Sequence, residues 1–228
     1  MANAKTQQKI LLGFLELLKA HSYEEVSFAS LAEHVGVKLS DIRAEFSSKK
    51  ALVEAFGEMI DRGVLDDRDE DMEGQPARDR LFDVLMTRID HLAPYKEAIG
   101  TLHSAVRKDP GLALEFNSIT VRSQRWMLVA AGIEVSGLKG RLVTQGLAVA
   151  FARVIDTWLK EDDKGMPRTM ARLDKELDQG ESWLKFLGKA EKMSRSFRKM
   201  GQGVRRSRKS EPTDGDGDIP ASALHEAS

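Results

Sequence analysis

The sequence predicts an all-α protein, and three observations predict it. Apolar residues recur at helical spacing along most of the chain, beginning with Ile10, Leu11, Phe14, Leu17 and Leu18. Prolines and glycines sit at the gaps between these periodic stretches. No stretch alternates apolar and polar residues over the length of a strand. At 228 residues, 41% of them hydrophobic and 31% charged, the chain can bury a full core in one or two domains.

Each element follows in order. Thr6 is placed to cap helix one, and Tyr23 and Val26 close the loop after it. Ser27 is a good N-cap for helix two, because its hydroxyl can accept an orphan backbone N–H. Leu31, Ala32 and Val35 give that helix its apolar face. Gly36 permits the left-handed backbone of a tight turn, a conformation that side chains resist. Helix three is expected over 40–46, with Val37, Ile42 and Phe46 inward. Lys38, Leu39, Ser40, Arg43 and Ala44 then face outward. Two short helices about a glycine form a helix-turn-helix layout, whose second helix can enter a DNA major groove.

Helix four begins near Ser48, with Leu52, Phe56, Met59 and Ile60 toward the core. The acidic run 66–73, followed by Gly74 and Pro76, marks a boundary between head and body. Helix five is expected over 77–91, carrying Leu81, Leu85, Ile89 and, just beyond, Leu92 on one stripe. Pro94 fits the first turn of helix six, where its missing N–H is tolerated. His103 on that helix either faces a ligand cavity or is a surface or satisfied core residue. Residues 109–111 end it. Helix seven spans 112–131 with Phe116, Ile119 and Trp126, and helix eight 138–161.

Helix eight carries Leu147, Phe151, Val154, Ile155, Trp158 and Leu159, a wider apolar surface than one core stripe needs. Pro167 starts helix nine, with Met170, Leu173 and Leu177. From 185 to 209 there are ten Lys or Arg and one acid, Glu191, around an apolar stripe that includes Phe186, Met193 and Phe197. This segment, with its start at 181, reads as a basic amphipathic helix. It either lies on an anionic membrane surface or a partner, or docks on the body with its charges solvated. The polar, Gly/Pro/Asp/Ser-rich stretch 201–228 is expected to be disordered.

Composition excludes several functions. With no cysteine there are no disulfides, thiolate metal sites or cysteine nucleophiles. No Ser/His/Asp grouping, His-x-x-x-His pair or phosphate loop occurs, and the five histidines are scattered. No catalytic residue, metal site or cofactor is therefore expected. The start, MANAKTQQK, lacks an apolar signal core, and no run approaches the ~20 apolar residues of a membrane span. The expected location is cytoplasmic. A net charge of −1 gives no global attraction to nucleic acid. Residues 1–60 hold seven Lys or Arg against eight Asp or Glu, with Asp41 and Glu45 beside the outward face. Any attraction to DNA must come from a few well-placed cations.

Residues 8–56 resemble the DNA-binding head of the TetR family of bacterial transcriptional regulators. The likeness rests on Ile10, Phe14, Leu17 and Leu18, on HSYEEVSFASLAEHVGV, and on the closing Phe46-Ser-Ser-Lys-Lys-Ala-Leu. It implies a helix-turn-helix head over 1–60 and a ligand-binding and dimerisation body over 61–200, about nine to ten helices in all. It further implies a double-stranded DNA operator and a homodimer under ligand control, acting as a repressor. Ser27, Lys38, Ser40, Arg43, Ala44 and Lys49 match positions near DNA. A small hydrophobic ligand would lie against Leu85, Ile89, Trp126 and Phe151. The twin subunit would pack on Leu147, Phe151, Ile155, Trp158, Met170 and Leu173. The body, through RLFDVLMTRIDHLAPYKEAI and LAVAFARVIDTWLKEDD, also resembles a ubiquinone-biosynthesis accessory family of the same fold. That resemblance implies the alternative of a lipid-binding, membrane-associating protein without DNA binding.

Overall fold

Helix α1 (Ala2–Ala20) crosses α2 (Phe28–Val35) and α3 (Leu39–Glu45), and α4 (Lys49–Asp66) leads from this group into the body. The body contains α5 (Ala77–Leu92), α6 (Lys96–Lys108), α7 (Pro110–Ala130) and α8 (Gly137–Leu159). Residues 167–180 are helical as well and are called α9. This computed structural model describes residues 2–180. The basic segment 181–209 and the tail 201–228 lie outside the described residues. By its contacts Met1–Ser182 forms one compact unit. Among the described residues there is no strand.

Local chemistry explains the boundaries. Ser27 caps α2 by accepting the Ser30 N–H at 3.0 Å, and Ser30 Oγ accepts the Ser27 N–H at 3.0 Å, a reciprocal pair. Gly36 closes α2 in the left-handed region, at φ 67°, and its N–H reaches the Glu33 carbonyl. Helix α3 starts at Leu39, because the Asp41 carboxylate accepts the Lys38 N–H at 3.0 Å and makes Lys38 the cap. Ser48 caps α4 by accepting the Ala51 N–H.

Three boundaries differ from the sequence expectation. Thr6 does not cap α1, which already runs from Ala2. Pro94 lies in a separate 3-10 turn, Ala93–Tyr95, ahead of α6. Residues 109–111 do more than end α6: Asp109 accepts the Gly111 and Leu112 N–H groups and so caps α7, with Pro110 in the first turn.

One apolar core runs from Ile10 to Leu177. At Gly13 a Cβ would collide with Val35 Cγ2, so the Val35 side chain of α2 packs directly on the backbone of α1 there. Helix α1 also packs on α6, where Thr101 Oγ1 donates to the Leu18 carbonyl at 2.7 Å. Tyr23 meets Phe116 edge-on at 5.8 Å between centroids, and Phe56 meets Tyr95 at 5.3 Å. These contacts tie the helix-turn-helix to the body at several points.

Helix α8 is long and apolar enough, by length and composition, to cross a membrane, which the sequence reading did not anticipate. Its Leu147, Phe151, Val154 and Trp158 are nonetheless buried against this chain's own helices.

Candidate nucleic-acid interface and ligand groove

Two side chains hold α3 in place: Ile42 is 1% exposed and Phe46 2%. With that face fixed inward, helical geometry turns Lys38, Leu39, Ser40, Arg43 and Ala44 to the outside, and all five are exposed. Ser27 is exposed at the start of α2, with its hydroxyl engaged in the reciprocal cap. Asp41 is exposed on the same helix, but its carboxylate is bonded to the Lys38 backbone.

Lys49 differs from the other proposed DNA contacts. Its Nζ donates to the Tyr23 carbonyl at 2.7 Å and stands 4.4 Å from the centre of the Tyr23 ring. Burial pushes its pKa down, against the pull of Glu24. The side chain therefore fastens the loop before α2 to the start of α4 rather than reaching out of the surface.

A groove of about 690 Å³ opens among α5, α6, α7, α8 and Arg172 of α9. Of the four ligand residues expected from sequence, Phe151 lines it. Leu85 and Ile89 are fully buried core residues. Trp126 is 50% exposed, because the buried stripe of α7 runs through Ile119, Ser123, Met127 and Ala130 and leaves Trp126 off it. His103 does border the groove, 3.8 Å from Asp156. Burial lowers its pKa, and Asp156 opposes that shift.

The residues expected at the twin-subunit contact are divided in the same way. Leu147, Phe151, Trp158 and Leu173 are buried within this chain, because the core claims that face of α8 and α9. Ile155 is partly buried and lines the groove. Met170, at 38%, is open. The uncovered apolar stripe of α8 is instead Leu138, Leu142 and Val149.

A charged cluster lies beneath the groove. Arg88 Nη1 of α5 donates to Asp61 of α4, and Ser123 Oγ of α7 donates to the same carboxylate oxygen at 2.5 Å. Arg88 is 6% exposed and Asp61 7%. Arg88 also borders the groove, with its guanidinium 5.6 Å from the centre of the Phe151 ring. Arg88 Nε and both amide atoms of Gln124 are buried without a hydrogen-bond partner. The sequence reading missed Arg88. The available signal was its position, a charge set between Leu85 and Leu92 on the apolar stripe of α5.

No family model and no curated protein sequence matches the chain. Solved structures do. A crystal structure of a TetR transcriptional regulator from Nitrosomonas europaea is 19% identical, with TM-score 0.60, over 78% of this chain and 98% of that one. A TetR transcriptional regulator from Rhodococcus is 18% identical, with TM-score 0.57, over 78% of this chain and 96% of that one. A TetR-family regulator from Streptomyces coelicolor is 20% identical, with TM-score 0.52, over 93% of this chain and 92% of that one. At such identities the likeness speaks for the backbone: the chain has the fold of the TetR transcriptional regulators.

Proposed function

We propose that this protein is a TetR-type transcriptional regulator, a repressor that binds double-stranded DNA as a homodimer and releases it when a small hydrophobic ligand binds. The observation that carries the reading is α3, anchored by Ile42 and Phe46 with Lys38, Ser40, Arg43 and Ala44 turned to the outside. In this reading residues 1–60 contact DNA, and 61–200 pair the subunits and receive the ligand. No step requires catalysis. Arg43 can grip guanine O6 and N7 through two parallel hydrogen bonds, while Lys38 and Ser40 meet phosphates.

Genome-wide mapping of bound DNA identifies the operator. On that operator Arg43→Ala is expected to weaken binding by roughly 1–3 kcal/mol in a gel-shift titration, the worth of one bidentate base contact. Unchanged affinity would remove Arg43 from the interface.

A dimer sets two recognition helices in successive major grooves ~34–36 Å apart. The uncovered α8 stripe, Leu138, Leu142 and Val149, is the natural seat for the second copy, with Met170 of α9 open as well. Leu142→Glu puts a charge in the middle of that stripe and should convert the dimer to a monomer in sedimentation velocity. A dimer that survives the change does not use this face.

One observation favours the alternative of a lipid-binding protein that leaves DNA alone: the acidic balance of residues 1–60, where Lys49 is also committed to Tyr23. On that reading the genome-wide map contains no enriched site, and residues 181–209 carry the protein to anionic membranes.

A further inference from the structure

One large apolar side chain of the head is left half uncovered. Leu39, the first residue of α3, is 53% exposed, while Val37, Ile42 and Phe46 carry the packing against the core. We propose that Leu39 is a specificity residue: it reads the C5-methyl group of a thymine in the operator, close to the guanine gripped by Arg43. The proposal rests on the regulator reading and adds a second base to it.

The chemistry of the major groove leaves such a side chain one partner. Guanine, adenine and cytosine present hydrogen-bond donors and acceptors on that edge, and thymine alone adds a methyl group. A leucine set against a polar edge strips its water and returns no hydrogen bond, which costs free energy. Set against a methyl group, it removes apolar surface from water on both partners. Lys38, Ser40 and Arg43, exposed on the same helix and its cap, are polar, so Leu39 is the large side chain there whose contact is apolar.

Spacing says where the thymine lies. Leu39 and Arg43 are four residues apart, so they project from one side of α3, ~6 Å from each other along its axis. Successive base pairs are ~3.4 Å apart, so a helix laid along the groove sets the thymine within about two base pairs of the guanine. Ser40 and Ala44 are exposed and short. Short side chains there let the helix come close enough for a leucine to meet a methyl group.

The charge of the head raises the weight of this contact. Residues 1–60 hold seven Lys or Arg against eight Asp or Glu, and Lys49 is already held by the Tyr23 carbonyl. Counterion release therefore supplies less of the affinity than in a basic head, and contacts to base edges supply more.

The full-length protein and the operator found by genome-wide mapping test this. Uracil is thymine without the methyl group and keeps its pairing and its acceptors. Each thymine of the operator is replaced in turn by uracil. Gel-shift titration then gives the affinity of the parent, of Leu39→Ala and of Arg43→Ala. The guanine whose preference Arg43→Ala loses fixes the register. For the parent, uracil at one thymine within about two base pairs of that guanine should weaken binding roughly fourfold, the worth of one buried methyl group. With uracil in both half-sites the loss should be roughly tenfold. Leu39→Ala should bind the thymine operator more weakly than the parent by at least as much, and should not distinguish uracil from thymine at that position. Circular dichroism should show Leu39→Ala melting with the parent, because the side chain is exposed.

If no thymine responds to loss of its methyl group, or if Leu39→Ala keeps the parent's uracil penalty, Leu39 reads no methyl group, while the operator and the regulator reading stand. If the map contains no operator, the regulator reading fails and the thymine contact falls with it.

Discussion

Arg88→Met is expected to lower the free energy of unfolding by about 3–5 kcal/mol, because it leaves Asp61 buried beside a hydrocarbon chain. The native pair is costly to desolvate and is sustained by good geometry: Arg88 and Ser123 both donate to one Asp61 oxygen. Removing the cation leaves the serine hydroxyl to solvate a carboxylate that is 7% exposed. A loss of that size is a large part of the ~5–15 kcal/mol that holds a typical domain together. The double variant Asp61→Leu/Arg88→Met should recover most of it, because an apolar pair of similar volume is commonly neutral or better than a buried ion pair. Urea denaturation followed by circular dichroism gives both numbers. A single-variant loss below about 1 kcal/mol would mean that Asp61 finds other solvation, and that α4 is not held by this bond.

This cluster also marks where the sequence stops being informative. The helix-turn-helix was legible because its determinants are local. Ser27 and Ser30 are three residues apart, Gly36 follows directly on Val35, and Ile42 and Phe46 are one turn apart. The placement of Ser40, Arg43 and Ala44 outside follows from the same period. Asp61 and Arg88 are separated by 27 residues, and nothing in either helix alone says that they meet. Periodicity shows that a face is buried without showing what covers it. For that reason Leu147, Trp158 and Leu173 could be assigned to a twin subunit from the sequence and yet lie in this chain's own core. Trp126, chosen for its bulk, stands half exposed: the buried stripe of α7 passes through Met127 instead. The inward turn of Lys49 depends on where the Tyr23 carbonyl points, which no spacing encodes.

Phe46→Ala should have the other large effect, and it acts on the surface proposed to meet DNA. Helix α3 has seven residues, far fewer than the ~12–15 that even a good helix former needs to hold together in water. Its form and orientation depend on the buried Ile42 and on Phe46, the residue that caps its C-terminus, which at 2% exposure is the larger of the two. Truncation to alanine is expected to cost about 3–5 kcal/mol of stability, from lost transfer energy and the cavity left behind. The exposed Arg43→Ala should change stability by no more than about 0.5 kcal/mol. The two variants therefore separate holding the helix from reading the base. Arg43→Ala should lose operator affinity with the fold intact. Phe46→Ala, assayed at a temperature where circular dichroism shows it still folded, should lose affinity because α3 no longer presents one geometry. If folded Phe46→Ala bound the operator as tightly as the parent, the outward face of α3 would not be the surface that meets DNA, and the groove would remain the site on which a function could rest.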